Sequence, residues 1–268
     1  MTRIPHALRV TPTIARVAWS DLVAYRAEMV VWVLTAILPL FLLALWDAVL
    51  AEGDVAGFGR DEVARYFAAT LLVRQLTGNW IAWELAYEIR QGQLSARLLR
   101  PLHPLWSAYI WALAALPWRI VILSPLLVGL ALVRPELLAW PSPLHSVAFV
   151  VSVALAFTLS FLVQATFGAL AFFIDKADGA FGVWFAVWTV ASGYVAPLAF
   201  FPSTVVAAFR WLPFRSMLGV PVEMLAGLLP VEALAPALFV QAAWVLLAAA
   251  TLRAVWAAGL ARYGAFGA

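Results

Sequence analysis

The chain has 268 residues, of which 65% are hydrophobic and 12% charged, with a mean hydropathy of +0.96. Soluble domains carry about 45–50% apolar and about 25% charged residues, so composition excludes an ordinary soluble domain, a disordered chain and a coiled coil. A net charge of +3 on so apolar a chain argues against nucleic acid as a partner, and the lack of any cysteine excludes disulfides, thiolate metal sites and thiol nucleophiles.

The solvent this composition fits is lipid. Lys176 is the only lysine, and the Arg- and Ala-heavy usage fits a GC-rich bacterial genome. The first residues show no short apolar run followed by a small-residue cleavage site, so the N-terminus is expected to be retained.

Residues 1–28 carry Arg3, Arg9, Arg16 and Arg26, with Ile14, Val17, Ala18, Leu22 and Tyr25 at helical spacing. This pattern predicts an amphipathic helix on the membrane surface. Membrane helices are expected over 29–50, 63–87, 116–133, 144–174, 180–201 and 237–259, since about 20 apolar residues cross the hydrocarbon. The second span is the least apolar, with Arg65, Arg74, Asn79 and Glu84. The run before the third span, from Leu105, is expected to lie along the interface, which keeps Arg119 near headgroups instead of deep in lipid. Residues 202–236 are apolar but cut by Pro213, Gly219, Pro221, Gly227 and Pro230, and pieces too short to cross read as a re-entrant or interfacial region.

The basic residues set the orientation. With the N-terminus inside, Arg3, Arg9, Arg16, Arg26, Arg90, Arg97, Arg100, Lys176 and Arg262 face the cytoplasm, and Arg60, Arg134, Arg210 and Arg215 face out. The reading is an all-α, polytopic membrane protein of a single domain, with six spans and both termini cytoplasmic.

Signals of catalysis are absent. No glycine-rich loop followed by Lys and Ser or Thr occurs, so the chain has no P-loop for ATP. His6, His103 and His145 share no metal-ligand spacing, and no nucleophile elbow is found. Neither a catalytic nor a metal site is expected.

Three groups of residues carry the functional reading. The loop 88–104 holds Glu88, Arg90, Gly92, Leu94, Arg97, Leu98, Leu99, Arg100 and Pro101. Gly92 breaks the preceding helix, the leucines make an apolar stripe and the arginines flank it. Such a short helix either docks into a groove of a soluble partner or rests on lipid headgroups. Arg74, Asn79 and Glu84 in the second span either line a translocation path or serve as structural polar groups, because a charge at mid-membrane must face protein, water or a partner. Many of the 14 tryptophans fall at span ends, as an interfacial belt requires. Trp184 and Trp188, one turn apart in the fifth span, either pack the interior or offer aromatic faces to a flat or cationic compound.

The pattern Glu88-x-Arg90-x-Gly92-x-Leu94-x-x-x-Leu98-Leu99-Arg100-Pro101-Leu102-x-Pro104-Leu105 resembles the loop between helices two and three of ABC-2 type transporter permeases. The run from Ser192 to Pro202, continuing to Leu212-Pro213-Phe214 and Pro221, is similar to the end of helix five and the outer re-entrant hairpin of that family. The close, Arg262-Tyr263-x-Ala265-Phe266-Gly267-Ala268, resembles its tail. Most of the chain is covered.

The resemblance implies a coupling helix within 88–104 that docks into a separate ATPase subunit, present in two copies. ATP and Mg would then sit on that partner and no cofactor on this chain. It further implies a second permease, either a related chain or another copy of this one, and an outer gate of Pro197, Phe200, Phe201, Pro202, Phe209, Trp211 and Phe214. The subfamily is linked to export of viologens and other toxic compounds, hence to multidrug resistance. The expected function is export of a small hydrophobic or amphiphilic compound, cationic toxicants included, across a bacterial cytoplasmic membrane. The rivals are export of a polysaccharide or lipid-linked polymer, and a membrane scaffold without transport.

Overall fold

In the computed structural model, residues 6–24, 37–138 and 142–263 are described. Among them the fold is helical throughout, with a single isolated β-bridge, Val55 to Phe58. Three apolar helical runs are long enough to cross a membrane: Pro104–Val133, Pro143–Phe172 and Val231–Tyr263. Two shorter apolar helices, Leu38–Val49 and Ala177–Ala191, accompany them.

α1 (His6–Ala24) is amphipathic and lies against α6 (Pro104–Ala114). Trp19 tilts on Trp118 at 4.9 Å, Trp106 Nε1 donates to Thr11 at 3.3 Å, and Ala18 is fully buried. The helix therefore rests part of its apolar side on protein, while Val17 and Trp19 stay exposed. α2 (Ile37–Val49) is the described part of the first expected span, whose residues 29–36 lie outside the described residues. At its end Asp47 pairs with Arg60 and Arg134, and Arg134 reaches Asp61, which ties together the ends of three elements.

The second span, expected as one helix over 63–87, is two. α3 (Arg60–Thr77) ends at Gly78, and α4 (Ile81–Arg90) starts after Trp80. α3 is only moderately apolar yet buried along most of its length, because it sits inside the bundle against α2 and the later helices Leu116–Val133, Pro143–Ala169 and Gly219–Leu225. α5 (Leu94–Leu98) follows a turn at Gly92, whose φ of 70° suits a residue without Cβ. α6 and α7 (Leu116–Val133) step only at Ala115, so the helical run begins at Pro104, upstream of the expected start at 116.

α8 (Pro143–Ala169) is the central post, extended by a 3-10 turn, Leu170–Phe172. It packs against α3, α4, α9 (Ala177–Ala191), α12 (Gly219–Leu225) and, most extensively, α13 (Val231–Tyr263). Lipid offers no hydrophobic drive between helices, so small residues and polar ties matter. Both occur here. A Cβ on Gly168 would stand 2.9 Å from the Ala82 carbonyl and 3.0 Å from Leu85 Cβ, so α4 and α8 touch backbone to backbone. Gln241 donates to the Ser216 carbonyl at 2.8 Å and accepts from Ser152 at 2.8 Å, joining α13, α11 (Pro213–Met217) and α8.

The fifth span, expected over 180–201, stops as a helix at Ala191. Gly193 takes φ 89°, and Tyr66 donates to its carbonyl at 2.7 Å. That hydroxyl stands where a Cβ would sit, so the left-handed turn at this position suits glycine and ends the helix. The stretch 202–236 resolves into α10 (Ser203–Arg210), α11, α12 and the first turns of α13. α13 has 33 residues and starts before the expected 237. At 1.5 Å per residue it spans about 50 Å, longer than the roughly 30 Å of hydrocarbon.

Candidate functional site: a locked loop, a broken helix and an aromatic hairpin

The loop 88–104 is held by interactions that its sequence did not disclose. Arg97 pairs with Glu88 at 2.6 Å and donates to the Pro104 carbonyl and to Ser107 Oγ, both at 2.7 Å. Arg90 pairs with Asp178 at the start of α9 at 2.8 Å. Ser95 bonds the Tyr263 hydroxyl at 3.1 Å, and the His103 ring lies 5.3 Å from that of Trp256. Burial holds the His103 imidazole below the usual histidine range. The loop is thus anchored to α6 by Ser107, to α9 by Asp178 and to α13 by Trp256 and Tyr263.

The leucines of this loop do not share one environment. Leu94 is 0% exposed, packed among Ile81, Leu85, Ile89, Phe161 and Phe172. It fastens the loop to its own chain. Arg97 is likewise spent inside the loop. What remains outward is a compact tip, with Leu98 36% exposed, Leu99 89% exposed, and Arg100 and Pro101 exposed beside them. The apolar stripe is real but is split between an inner and an outer face, because α5 has only five residues and each points a different way within little more than one turn.

The break between α3 and α4 gathers the buried cations. Arg119, 5% exposed, donates to the carbonyls of Gln75 and Gly78. These are among the carbonyls a helix end leaves unpaired, and a cation there also suits the helix dipole. Arg119 is therefore buried in protein, at the break between α3 and α4. Arg74 lies on the other side. Its guanidinium sits 5.5 Å from the Trp188 ring centroid, donates to the Tyr194 hydroxyl, and fills the space a Cβ on Gly78 would need, 2.5 Å away.

The five residues assigned to a path accordingly fall into two groups. Arg74, Trp184 and Trp188 belong to an aromatic cluster, where Trp184 stacks on Trp188 at 6.5 Å and Tyr194 tilts on Trp188 at 5.6 Å. Asn79 and Glu84 instead line a cleft of about 680 Å³ that opens beside α1, α6 and the loop.

The hairpin aromatics are also divided. Phe200 meets Trp46 at 4.8 Å and Phe58 at 5.6 Å, while Trp46 donates to the Val195 carbonyl at 3.1 Å. Phe201 faces Phe209 at 6.2 Å. Phe214 is buried against Trp184 at 6.1 Å, and Trp211 stands 83% exposed. Pro197 is buried and caps the 3-10 turn Leu198–Phe200, and Pro202 is exposed and precedes α10. Below them Arg215 pairs with Glu223 at 2.5 Å.

Three long apolar helical runs with shorter apolar helices beside them, among the described residues, fit a polytopic membrane protein. The chain belongs to the ABC-2 family of transporter proteins, whose family model, ABC-2 family transporter protein, matches residues 31–267. It is thus a membrane permease of an ABC transporter and not itself the ATPase. No curated protein and no solved structure matches the chain.

Proposed function

We propose that this chain is the permease subunit of an ATP-driven exporter, coupled to two copies of a separate ATPase through the tip Leu98–Leu99–Arg100–Pro101. The observation that carries this reading is an outward apolar pair, Leu98 and Leu99, on a loop whose Glu88, Arg90 and Arg97 are spent on its own chain. A leucine as exposed as Leu99 at the end of a rigid mount has a use in a partner's groove. Glu88, Arg90, Gly92, Leu94 and Arg97 serve the mount and not the contact.

Force applied to the tip has a defined route. The loop is continuous with α4, and α4 is pressed on α8 at Gly168. The break at Gly78–Trp80 separates α4 from α3 and supplies a hinge, with Arg119 satisfying the Gln75 and Gly78 carbonyls there. Closure of the ATPase pair around ATP would tilt α4 and α8 about that hinge and open the path outward. The cargo is a small hydrophobic or amphiphilic compound, cationic toxicants included, and the membrane is the bacterial cytoplasmic one with both termini inside. A second permease, related or identical, completes the path, with the hairpin 197–214 at its outer end.

The test is purification of the tagged chain from native membranes in mild detergent, with identification of its companions. An ATPase together with a second six-span permease supports a heteromeric exporter, and an ATPase alone supports a homodimer. No ATPase in several gentle detergents would overturn the exporter reading in favour of a scaffold.

A further inference from the structure

The cleft beside the helix break holds a buried group that the coupling role leaves unused. Its volume, about 680 Å³, falls within the range of small-molecule sites. Its apolar walls include Ile14 and Val17 of α1, Trp111 of α6 and Phe161 of α8. The charges on its lining answer one another. Glu88 pairs with Arg97 at 2.6 Å, Glu84 feels the charges of both Arg97 and Arg119, and Arg119 donates to the carbonyls of Gln75 and Gly78. Arg100 stands exposed at the rim. A cationic head entering here would meet three arginines, and an anionic head would meet two glutamates. Neither finds a bare counter-charge at depth.

Asn79 differs from these groups. It lies in the break itself, outside both α3 and α4. It is 8% exposed, and among the described residues neither its Nδ2 nor its Oδ1 has a hydrogen-bond partner. The side-chain amide offers two donors on nitrogen and an acceptor on oxygen, side by side. Leaving both ends of it buried and unpaired is costly, and hydrocarbon supplies no water to meet them. The cleft thus presents one neutral donor–acceptor pair between apolar walls, with its charges already matched.

We propose that this cleft binds an uncharged amphiphile whose head carries a donor and an acceptor side by side. The head's carbonyl accepts from Asn79 Nδ2 and its N–H or O–H donates to Asn79 Oδ1, while the tail lies along Ile14, Val17, Trp111 and Phe161. A primary carboxamide meets both ends of the asparagine in one cyclic pair of hydrogen bonds. A tertiary amide accepts but cannot donate, and leaves Oδ1 unpaired. The same chemistry belongs to the hydroxyl and ester of an acylglycerol in the membrane and to a free fatty amide as cargo. The inference goes beyond the exporter reading, because the binding it asserts belongs to the permease without its ATPase.

The experiment uses a twelve-carbon primary amide with a diazirine at mid-chain, illuminated with the purified permease in phosphatidylcholine nanodiscs, and peptide mass spectrometry to locate the label. Dodecanamide, monolauroylglycerol, N,N-dimethyldodecanamide, laurate and dodecylamine serve as competitors. We expect saturable labelling around Ile14, Val17, Trp111 and Phe161. Dodecanamide and monolauroylglycerol should displace it, and the other three should need at least tenfold higher concentration. Asn79→Leu should lower the labelling tenfold or more.

Absence of saturable labelling at these walls overturns the proposal. So does equal competition by the dimethylamide or by either charged head, and that series needs no variant to fold. Unchanged labelling in Asn79→Leu overturns it as well. Native mass spectrometry separates the sources: an acylglycerol retained by the wild type and lost in Asn79→Leu marks a lipid site, whereas amide binding without retained lipid marks a cargo site. Loss of ATPase association would leave all of these readouts in place, so failure of the exporter reading remains distinguishable.

Discussion

Single side chains decide which parts of the loop touch the outside world. Leu94 and Leu98 sit four residues apart on one stripe, yet one is core and the other rim. Leu94→Ala removes a fully buried side chain and should cost about 2–5 kcal/mol, visible as a lower thermal midpoint in detergent. The pair Leu98→Ser with Leu99→Ser should leave that midpoint within about 0.5 kcal/mol of wild type, as exposed substitutions do, while sharply reducing the ATPase recovered on purification. The reverse pattern would assign the docking face wrongly. Arg97 makes a second case. Arg97→Ala strands the Glu88 carboxylate and the Pro104 carbonyl together, and loss of a charge-assisted network of this kind costs about 1.5–3 kcal/mol. Because Arg97 is partly exposed, we expect the low end, seen as faster hydrogen exchange over 88–104 with the membrane helices unchanged.

At the scale of elements, the close contacts are where the bundle is least forgiving. The Gly168 site admits no Cβ without pushing α4 from α8, and at Gly259 a Cβ would collide with the Phe172 ring. Gly168→Val should therefore separate α4 from α8. The check is a cysteine pair placed across the two helices, which should crosslink efficiently in the wild-type background and poorly in the variant. The Gln241 tie is expected to matter less. Gln241→Leu should cost about 0.6 kcal/mol and at most about 1.7, the range measured for interhelical hydrogen bonds in membranes, read as a small shift of the thermal midpoint.

Element boundaries also show what the sequence can and cannot disclose. Runs of apolar residues located α7, α8, α9 and α13, since hydropathy reports how well a segment suits lipid. The ends at Thr77 and Ala191 were invisible to that signal. Each depends on a partner far away in the chain: Arg119 binds the carbonyls released at Gly78, and Tyr66 holds Gly193. Glycine followed by Asn and Trp, or by Tyr and Val, was the only local hint. Likewise the polar loop was found from its Gly92 and Pro101 punctuation, but its locking by Asp178, Ser107 and Tyr263 is a tertiary fact.

For the whole molecule, family membership fixes the class, and the route from loop tip to helix break gives a physical account of how such a permease could be driven. The absence of native cysteine makes the chain ready for single-cysteine work. Cysteine introduced at Ala51 should react with an impermeant maleimide from outside intact cells, whereas cysteine at Gln93 should react only after the membrane is opened. The opposite labelling would invert the orientation and place the proposed docking loop on the wrong side.

The central claim is that ATPase force enters through the outward tip of the loop. The most direct test replaces Leu99 by cysteine, attaches a photoactivatable benzophenone and illuminates the native membrane, with Leu94→Cys as the buried comparison. The account predicts that an ATPase subunit is captured from position 99 and not from position 94. Capture of lipid alone from position 99, with no ATPase, would contradict it.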